Sequence, residues 1–349
     1  MAEKYLTHNP VQTLDNTVSL LEADKVLVVT DLNVERLVFP LLKESGILNE
    51  APRIAILPGE NDKNLETVTK VWDKLESIGA TRRSIILNIG GGVVTDLGGF
   101  AAATFKRGIR TINFPTTLLG AVDAATGGKT GIDYKGLKNE IGAFHMPSKV
   151  IISALPFKTL PKDEVLSGYA EMIKTALISD RKFYLRLLEM EAMLSDERLL
   201  GEAVEKCVGI KEEVVALDPQ EKNLRKILNF GHTAGHAMES LRIERNQKVT
   251  HGMAVAHGIL IALIISHMKF GFDSIEVAHY RNFLKTYYGA PLFKCEDIEE
   301  VIHKMNSDKK NQYYGKPLFT LLKSIGVPEI NCNPTQAEIQ EALDIYLEL

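Results

Sequence analysis

The stretch NFGHTAGHAMES at 229–240 sets His232 and His236 four residues apart, so on a helix they share one face. Imidazole serves as metal ligand, proton carrier or substrate contact, and it also fills cores as a satisfied polar group. The spacing alone leaves all of these open. No glutamate lies between the histidines, so the segment is not HExxH and gives little support to a metalloprotease. His251 follows downstream; two histidines and one carboxylate suit zinc, with a position left for a substrate oxygen. In DEVLSGYAEMIKTALI, Glu171 and Lys174 stand three apart on a face beside the apolar stripe. Taken by itself that pair reads as an exposed ion pair, worth little.

A second group of residues suits an anion. The segment AVDAATGGKTGIDYKGLKNEIGAF at 121–144 holds Asp123, Lys129, Lys138 and Asn139 among five glycines. Its weak periodicity reads as a long irregular loop, of the kind that is usually functional, and its content suits a phosphate or polyol cradle. Lys211, Arg225, Asn229 and the pair Lys309 and Lys310 in SDKKNQ add cations and an amide.

A third group suits a nucleotide. GGGVVTD at 90–96 follows an apolar run and precedes a helical pattern, so its backbone N–H groups can meet a pyrophosphate at a helix N-terminus. The spacing is not GxGxxG, since Thr95 stands where the third glycine would be. Asp31 and Asn33 end the first apolar run, Glu60 and Lys63 the second, and Thr116 and Thr117 follow Pro115. Each has a plain alternative as a helix cap or solvated turn.

These groups need elements to hold them. KVLVVTD, RIAILPGE and SIILNIGGG each precede an amphipathic stretch, the rhythm of a parallel sheet flanked by helices; TINFPTT and KVIISA read as later strands. From about Leu160 strand signals nearly vanish and long 3.6-residue periods take over. The expected division is an α/β Rossmann-like domain over 1–160 and an all-α domain over 161–349. The apolar run ILIALII at 259–265 is too short to span a bilayer and reads as a buried helix.

Composition narrows the classes further. The 349 residues are 45% hydrophobic and 25% charged with a formal charge of −4, which is globular and gives no reason to expect nucleic acid. Three scattered cysteines and a start without a basic flank and apolar run lead us to expect a reducing cytoplasmic setting.

Taken in order, GGGVVTDLGGF, FKRG, PTTLLG, VDAATGGKTG, KNEIGAF, LPKDEVLSGYAEMIK, LRKILNFGHTAGHAME, HGMAVAHG and SDKK resemble the 3-dehydroquinate synthase family over nearly the whole chain. The resemblance implies NAD, Zn²⁺ or Co²⁺, and a homodimer with its active site between the domains. It implies Glu171, His232 and His251 as metal ligands. It implies Asp31, Asn33, Glu60, Lys63, Gly91, Gly92, Asp96, Thr116, Thr117, Leu119, Lys129, Lys138 and Thr159 as cofactor positions. For substrate it implies Arg107, Asp123, Lys129, Lys138, Asn139, Lys174, Lys211, Arg225, Asn229, His236 and one of Lys309 or Lys310, with Lys129, Lys138, Lys174, Arg225, Asn229 and His236 nearest the chemistry.

The implied reaction turns 3-deoxy-D-arabino-heptulosonate 7-phosphate into 3-dehydroquinate and phosphate in the shikimate pathway, by oxidation at C5, phosphate elimination, re-reduction and aldol closure. Two departures from the family pattern are VDAAT in place of VDSSV and Met253 in place of the acidic residue of HGEAV. Two alternatives remain: a sister cyclase acting on sedoheptulose 7-phosphate, which lacks a carboxylate, and a metal-dependent polyol or glycerol dehydrogenase. A neutral polyol has no need of Lys138, Lys174, Lys211 and Arg225.

Overall fold

The computed structural model describes residues 3–135, 137–219, 221–307 and 317–349. The chain forms two compact units, Met1–Pro161 with Asp196–Val208, and Lys162–Ser195 with Gly209–Leu349.

In the first unit the order is β1 (Glu3–Leu6), α1 (Pro10–Leu20), β2 (Val26–Asp31), α2 (Leu32–Leu37), α3 (Gly46–Glu50), β3 (Arg53–Ile56), α4 (Leu65–Ser77), β4 (Ile85–Gly90), α5 (Gly92–Thr104), β5 (Arg110–Pro115), α6 (Leu118–Val122), β6 (Lys129–Tyr134), β7 (Leu137–Phe144) and β8 (Lys149–Ile152). Six strands pair in the order β1-β8-β5-β4-β2-β3, all parallel. A parallel sheet is covered on both faces, and side-chain alternation divides the core accordingly. Leu27, Val29 and Ile86 face Val68, Val71 and Leu75 of α4 and Leu97 of α5; Val28, Ile85, Leu87 and Ile89 face Leu14 and Val18 of α1 and Val34 of α2. The chain leaves β2 toward β3 on one side and returns to β4 on the other. That reversal opens a crevice at the carboxyl ends of β2 and β4, where open α/β sheets bind ligands.

The structure corrects the reading of 121–144 as irregular loop. Half of it is the antiparallel hairpin β6–β7, with Gly131 opposite Gly142. A Cβ on Gly142 would lie 2.4 Å from the Thr130 carbonyl oxygen, so the glycines that hide the strand alternation are what let the two backbones close.

The second unit contains α7 (Lys162–Leu177), α8 (Arg181–Leu188), α9 (Met190–Ser195), the latter part of α10 (Glu197–Leu217), α11 (His232–Glu244), α12 (His251–Phe270), α13 (Ser274–Tyr287), α14 (Ile298–Asn306) and α15 (Gln336–Leu347). It is largely helical, but one antiparallel hairpin, β9 (Phe319–Ser324) with β10 (Val327–Cys332), departs from the all-α expectation. ILIALII lies inside α12, which is apolar and long enough to cross a membrane by length and composition, yet is 72% buried within the protein; it is the core helix.

Two glycines bring α12 close to its neighbours. A Cβ on Gly252 would fall 1.9 Å from the Ser167 carbonyl oxygen of α7, and one on Gly258 would fall 2.0 Å from the Gly231 carbonyl oxygen just before α11. The Gly252 N–H also donates to Ser167 Oγ at 3.0 Å. These contacts set His251, Glu171 and His232 within reach of one another.

Candidate functional site

Glu171 is 2% exposed and Lys174 3%, and the two form a buried ion pair; the exposed reading of that pair is overturned. Glu171 Oε1 lies 3.5 Å from His232 Nε2 and 3.6 Å from His251 Nε2. Tetrahedral ligands on bonds of 2.0–2.1 Å sit about 3.3 Å apart, so this spacing fits one ion held by three atoms. Glu171 Oε1 is buried and has no hydrogen-bond partner among the described residues, as suits an atom reserved for a cation.

The histidines are oriented from behind. His232 Nδ1 is 3.1 Å from the Phe230 carbonyl oxygen, and His251 Nδ1 is 3.1 Å from Glu239 Oε2. Each is thereby held at Nδ1 and presents Nε2 to Glu171. His236 belongs to the same cluster, and one ligand nitrogen from each of the three rings lies within 4.8 Å of the others. Geometry alone therefore offers a choice between Glu171 and His236 beside His232 and His251.

The electrostatics call for a cation. Burial pushes the Glu171 carboxyl up, but Lys174, His232 and His251 together hold it well below the usual carboxylate range. Burial pushes His251 down, and the carboxylates of Glu171 and Glu239 outweigh it, raising the ring to about 10.

Other expected substrate residues of this unit lie near the start of α11. Arg225 and Asn229 belong to a 3₁₀ turn at Leu224–Asn229. Arg225 is buried and Nη1 donates to the Pro219 carbonyl at 2.9 Å; Asn229 Nδ2 donates to Glu221 Oε1 at 3.0 Å. Asp218 accepts from the N–H groups of Lys222, Asn223 and Arg225 and so shapes the turn. Asn229 also borders a cavity of about 330 Å³ with Lys226, Thr233 and Asn331. Lys211 is buried on α10. Lys309 and Lys310 lie outside the described residues.

In the first unit the crevice edge gathers part of the nucleotide set. Buried Lys63 donates to Asp96 Oδ2 at 2.8 Å and to Asn139 Oδ1 at 2.5 Å, with Glu60 at 3.5 Å. Burial pushes Asp96 up to about 6 against the pull of Lys63. Gly91 caps α5, and a Cβ there would meet Thr117 Cγ2 at 3.0 Å, so the glycine turn packs against the PTT segment. Thr116 is buried beside it. Thr117 also caps α6 by accepting from the Gly120 N–H, and Asp31 caps α2 through Oδ1, which accepts from Asn33 and Val34; the plain cap readings hold for both. Leu119 is part-buried on α6, and Thr159 Oγ1 donates to the Pro156 carbonyl oxygen.

Segment 124–126, after Asp123, is tied to the sheet by Asn88 Nδ2 donating to Asn113 Oδ1 and Asn113 Nδ2 to the Ala125 carbonyl, both at 2.9 Å. Arg107 stands exposed in a left-handed turn at φ 67°. Lys129 and Lys138 are exposed on β6 and β7. Sequence reasoning missed Glu239 and the Asn88–Asn113 tie. Glu239 had a signal, since it lies seven residues after His232 and shares its face.

Residues 53–167 match the model of the 3-dehydroquinate synthase N-terminal domain and residues 168–311 that of its C-terminal domain. The chain belongs to the 3-dehydroquinate synthase family. A 3-dehydroquinate synthase of Parabacteroides distasonis is 43% identical over 96% of this chain and 95% of its own length. Among solved structures, a 2-deoxy-scyllo-inosose synthase complexed with carbaglucose-6-phosphate, NAD⁺ and Co²⁺ superposes with a TM-score of 0.84 at 26% identity, covering 99% of this chain and 96% of that one. A 2-epi-5-epi-valiolone synthase from Streptomyces hygroscopicus with NAD⁺ and Zn²⁺ bound shares the fold at a TM-score of 0.87 and 24% identity, covering 100% and 97%. The 3-dehydroquinate synthase family thus accounts for both units, the parallel sheet and the largely helical part.

Proposed function

We propose that this chain is a 3-dehydroquinate synthase in the full sense: a phosphate-eliminating carbon–oxygen lyase of the shikimate pathway, working in the cytoplasm as a homodimer. Its substrate is 3-deoxy-D-arabino-heptulosonate 7-phosphate and its products are 3-dehydroquinate and phosphate. Residues 1–160 handle NAD and 161–349 the metal. The observation that carries the reading is the buried carboxylate Glu171 facing two pre-oriented Nε2 atoms, with Lys174 beside it.

Glu171, His232 and His251 hold Zn²⁺ or Co²⁺, because each presents one atom at ligand spacing and both rings are fixed at Nδ1. When bound, the ion would supply Lewis acidity toward substrate hydroxyl oxygens and NAD a reversible hydride acceptor for C5. Lys174, an ammonium beside the proposed ligand Glu171, takes a substrate oxyanion. His236, in the same cluster, is a substrate-facing imidazole able to hold a hydroxyl proton. Arg225, Asn229 and Lys211 take the carboxylate end, as guanidinium and ammonium groups suit it. Lys129, Lys138, Asn139, Arg107, Asp123 and one of Lys309 or Lys310 take the phosphate and ring hydroxyls. Asp31, Asn33, Glu60, Lys63, Asp96, Thr116, Thr117, Leu119 and Thr159 position the nucleotide, with the Gly91–Gly92 N–H groups at its pyrophosphate.

Phosphate release from the named substrate with substoichiometric NAD⁺ and Zn²⁺ tests the reading. Many phosphates and dehydroquinates per NAD⁺ are expected; NADH accumulating one for one with substrate lost is the dehydrogenase outcome and overturns it. Turnover of sedoheptulose 7-phosphate in preference identifies the sister cyclase.

A further inference from the structure

We propose that Glu239 is a positioning residue, holding the His251 ring so that Nε2 faces Glu171. The proposal rests on the ligand assignment above and adds a residue to it. On α11, Glu239 follows His232 by seven residues, which returns to within about 20° of the same helix face. Its Oε2 lies 3.1 Å from His251 Nδ1; the Glu239 side chain is 12% exposed and that of His251 30%, so the bond is partly shielded from solvent.

His251 needs such a partner more than His232 does. The backbone of His251 is fixed by its place as the first residue of α12, by the Thr250 cap and by the Gly252–Ser167 contact, but these leave the ring free to turn. Glu239 removes that freedom. There is also a charge argument. The N-terminus of a 20-residue helix carries partial positive charge, which opposes any cation at His251, and α12 has no acidic residue in its own first turn. Glu239 supplies the missing negative charge from the neighbouring helix. The two histidines are thus held differently, one by a neutral carbonyl and one by a carboxylate, and the carboxylate-backed imidazole is the more basic ligand.

The test titrates purified protein with Co²⁺, reading the visible absorption bands, and measures Zn²⁺ affinity against a chelator, with circular dichroism as the check on folding. Glu239→Ala is expected to weaken both ions about 10- to 100-fold and to alter the Co²⁺ spectrum. Glu239→Gln, which keeps an acceptor for Nδ1–H but loses the charge, should fall between it and the unaltered protein. Affinity within about threefold of the unaltered protein and an unchanged spectrum in the alanine variant overturn the proposal; should that variant not fold, the same result in Glu239→Gln does so. Glu171→Ala is the control for the ligand assignment. If it binds Co²⁺ as well as the unaltered protein, the assignment fails and takes the Glu239 role with it, whereas loss there with no effect at 239 defeats the Glu239 role alone.

Discussion

Gly252 on α12 lies against Ser167 on α7 so closely that a Cβ would meet the Ser167 carbonyl oxygen at 1.9 Å. Backbone cannot yield as the end of a side chain can, so Gly252→Ala must push the helices apart. A loss of about 1–3 kcal/mol is expected from such overpacking, with weaker Co²⁺ binding, because His251 moves with α12. The contrasting control is Gly209→Ala in α10, where nothing lies within 4 Å; the gain in helix propensity should stabilise by up to about 1 kcal/mol. Denaturant melts of both variants check the pair.

Metal content distinguishes the ligands from their neighbour. Glu171→Ala, His232→Ala and His251→Ala should each lose bound metal by elemental analysis. His236→Ala should retain it and lose turnover instead. Equal loss in all four would place His236 among the ligands.

Acid stability should depend on His257. This ring is fully buried, Tyr346 Oη lies 2.9 Å from its Nδ1, and the same Oη accepts from the Leu292 N–H at 2.9 Å, so the hydroxyl proton points at Nδ1. Burial pushes the ring down to about 3. The unfolded chain protonates near 6.5 and the folded one does not, so stability is full above about 6.5 and is lost as the pH falls toward about 3. The loss from this group is on the order of 4–5 kcal/mol. His257→Asn should flatten that limb of the stability–pH curve; an equally steep limb would contradict the assignment.

Lys63 joins Asp96, Glu60 and Asn139 in the first unit. Lys63→Met should weaken NAD binding by about tenfold or more, since breaking a buried pair costs several kcal/mol. Metal content should stay unchanged, since the proposed ligands Glu171, His232 and His251 belong to the other unit. Calorimetric titration with NAD⁺ and elemental analysis read the two effects separately.

The parallel sheet was legible because strands buried on both faces are nearly continuous apolar runs, as in β4, where the one polar side chain, Asn88, is hydrogen-bonded to Asn113. Other strands were not: the polar β1 gives no such run, the glycines of β6–β7 break the alternation, and β9–β10 interrupts a helical tract. At the site, Glu171, His232 and His251 were named through family blocks, whereas spacing alone left the histidine pair undecided. The i,i+3 spacing of Glu171 and Lys174 could not reveal their depth, which comes from α12 packing over α7. The spacing of Glu239 from His232 marks the shared helix face, but that this face meets His251 of another helix is shown only by the packing.

The proposed ligand atoms come from three helices held together by glycine contacts, one of them the buried apolar helix α12. A zinc finger differs, since there the metal itself creates the fold. Here helix packing, through Gly252 on Ser167 and Gly258 on Gly231, already brings the three side chains together, so the fold is expected to outlast loss of the ion. A chelator should accordingly leave a folded apoprotein that regains its ion within the time of binding, without passing again through the slow search of a folding chain.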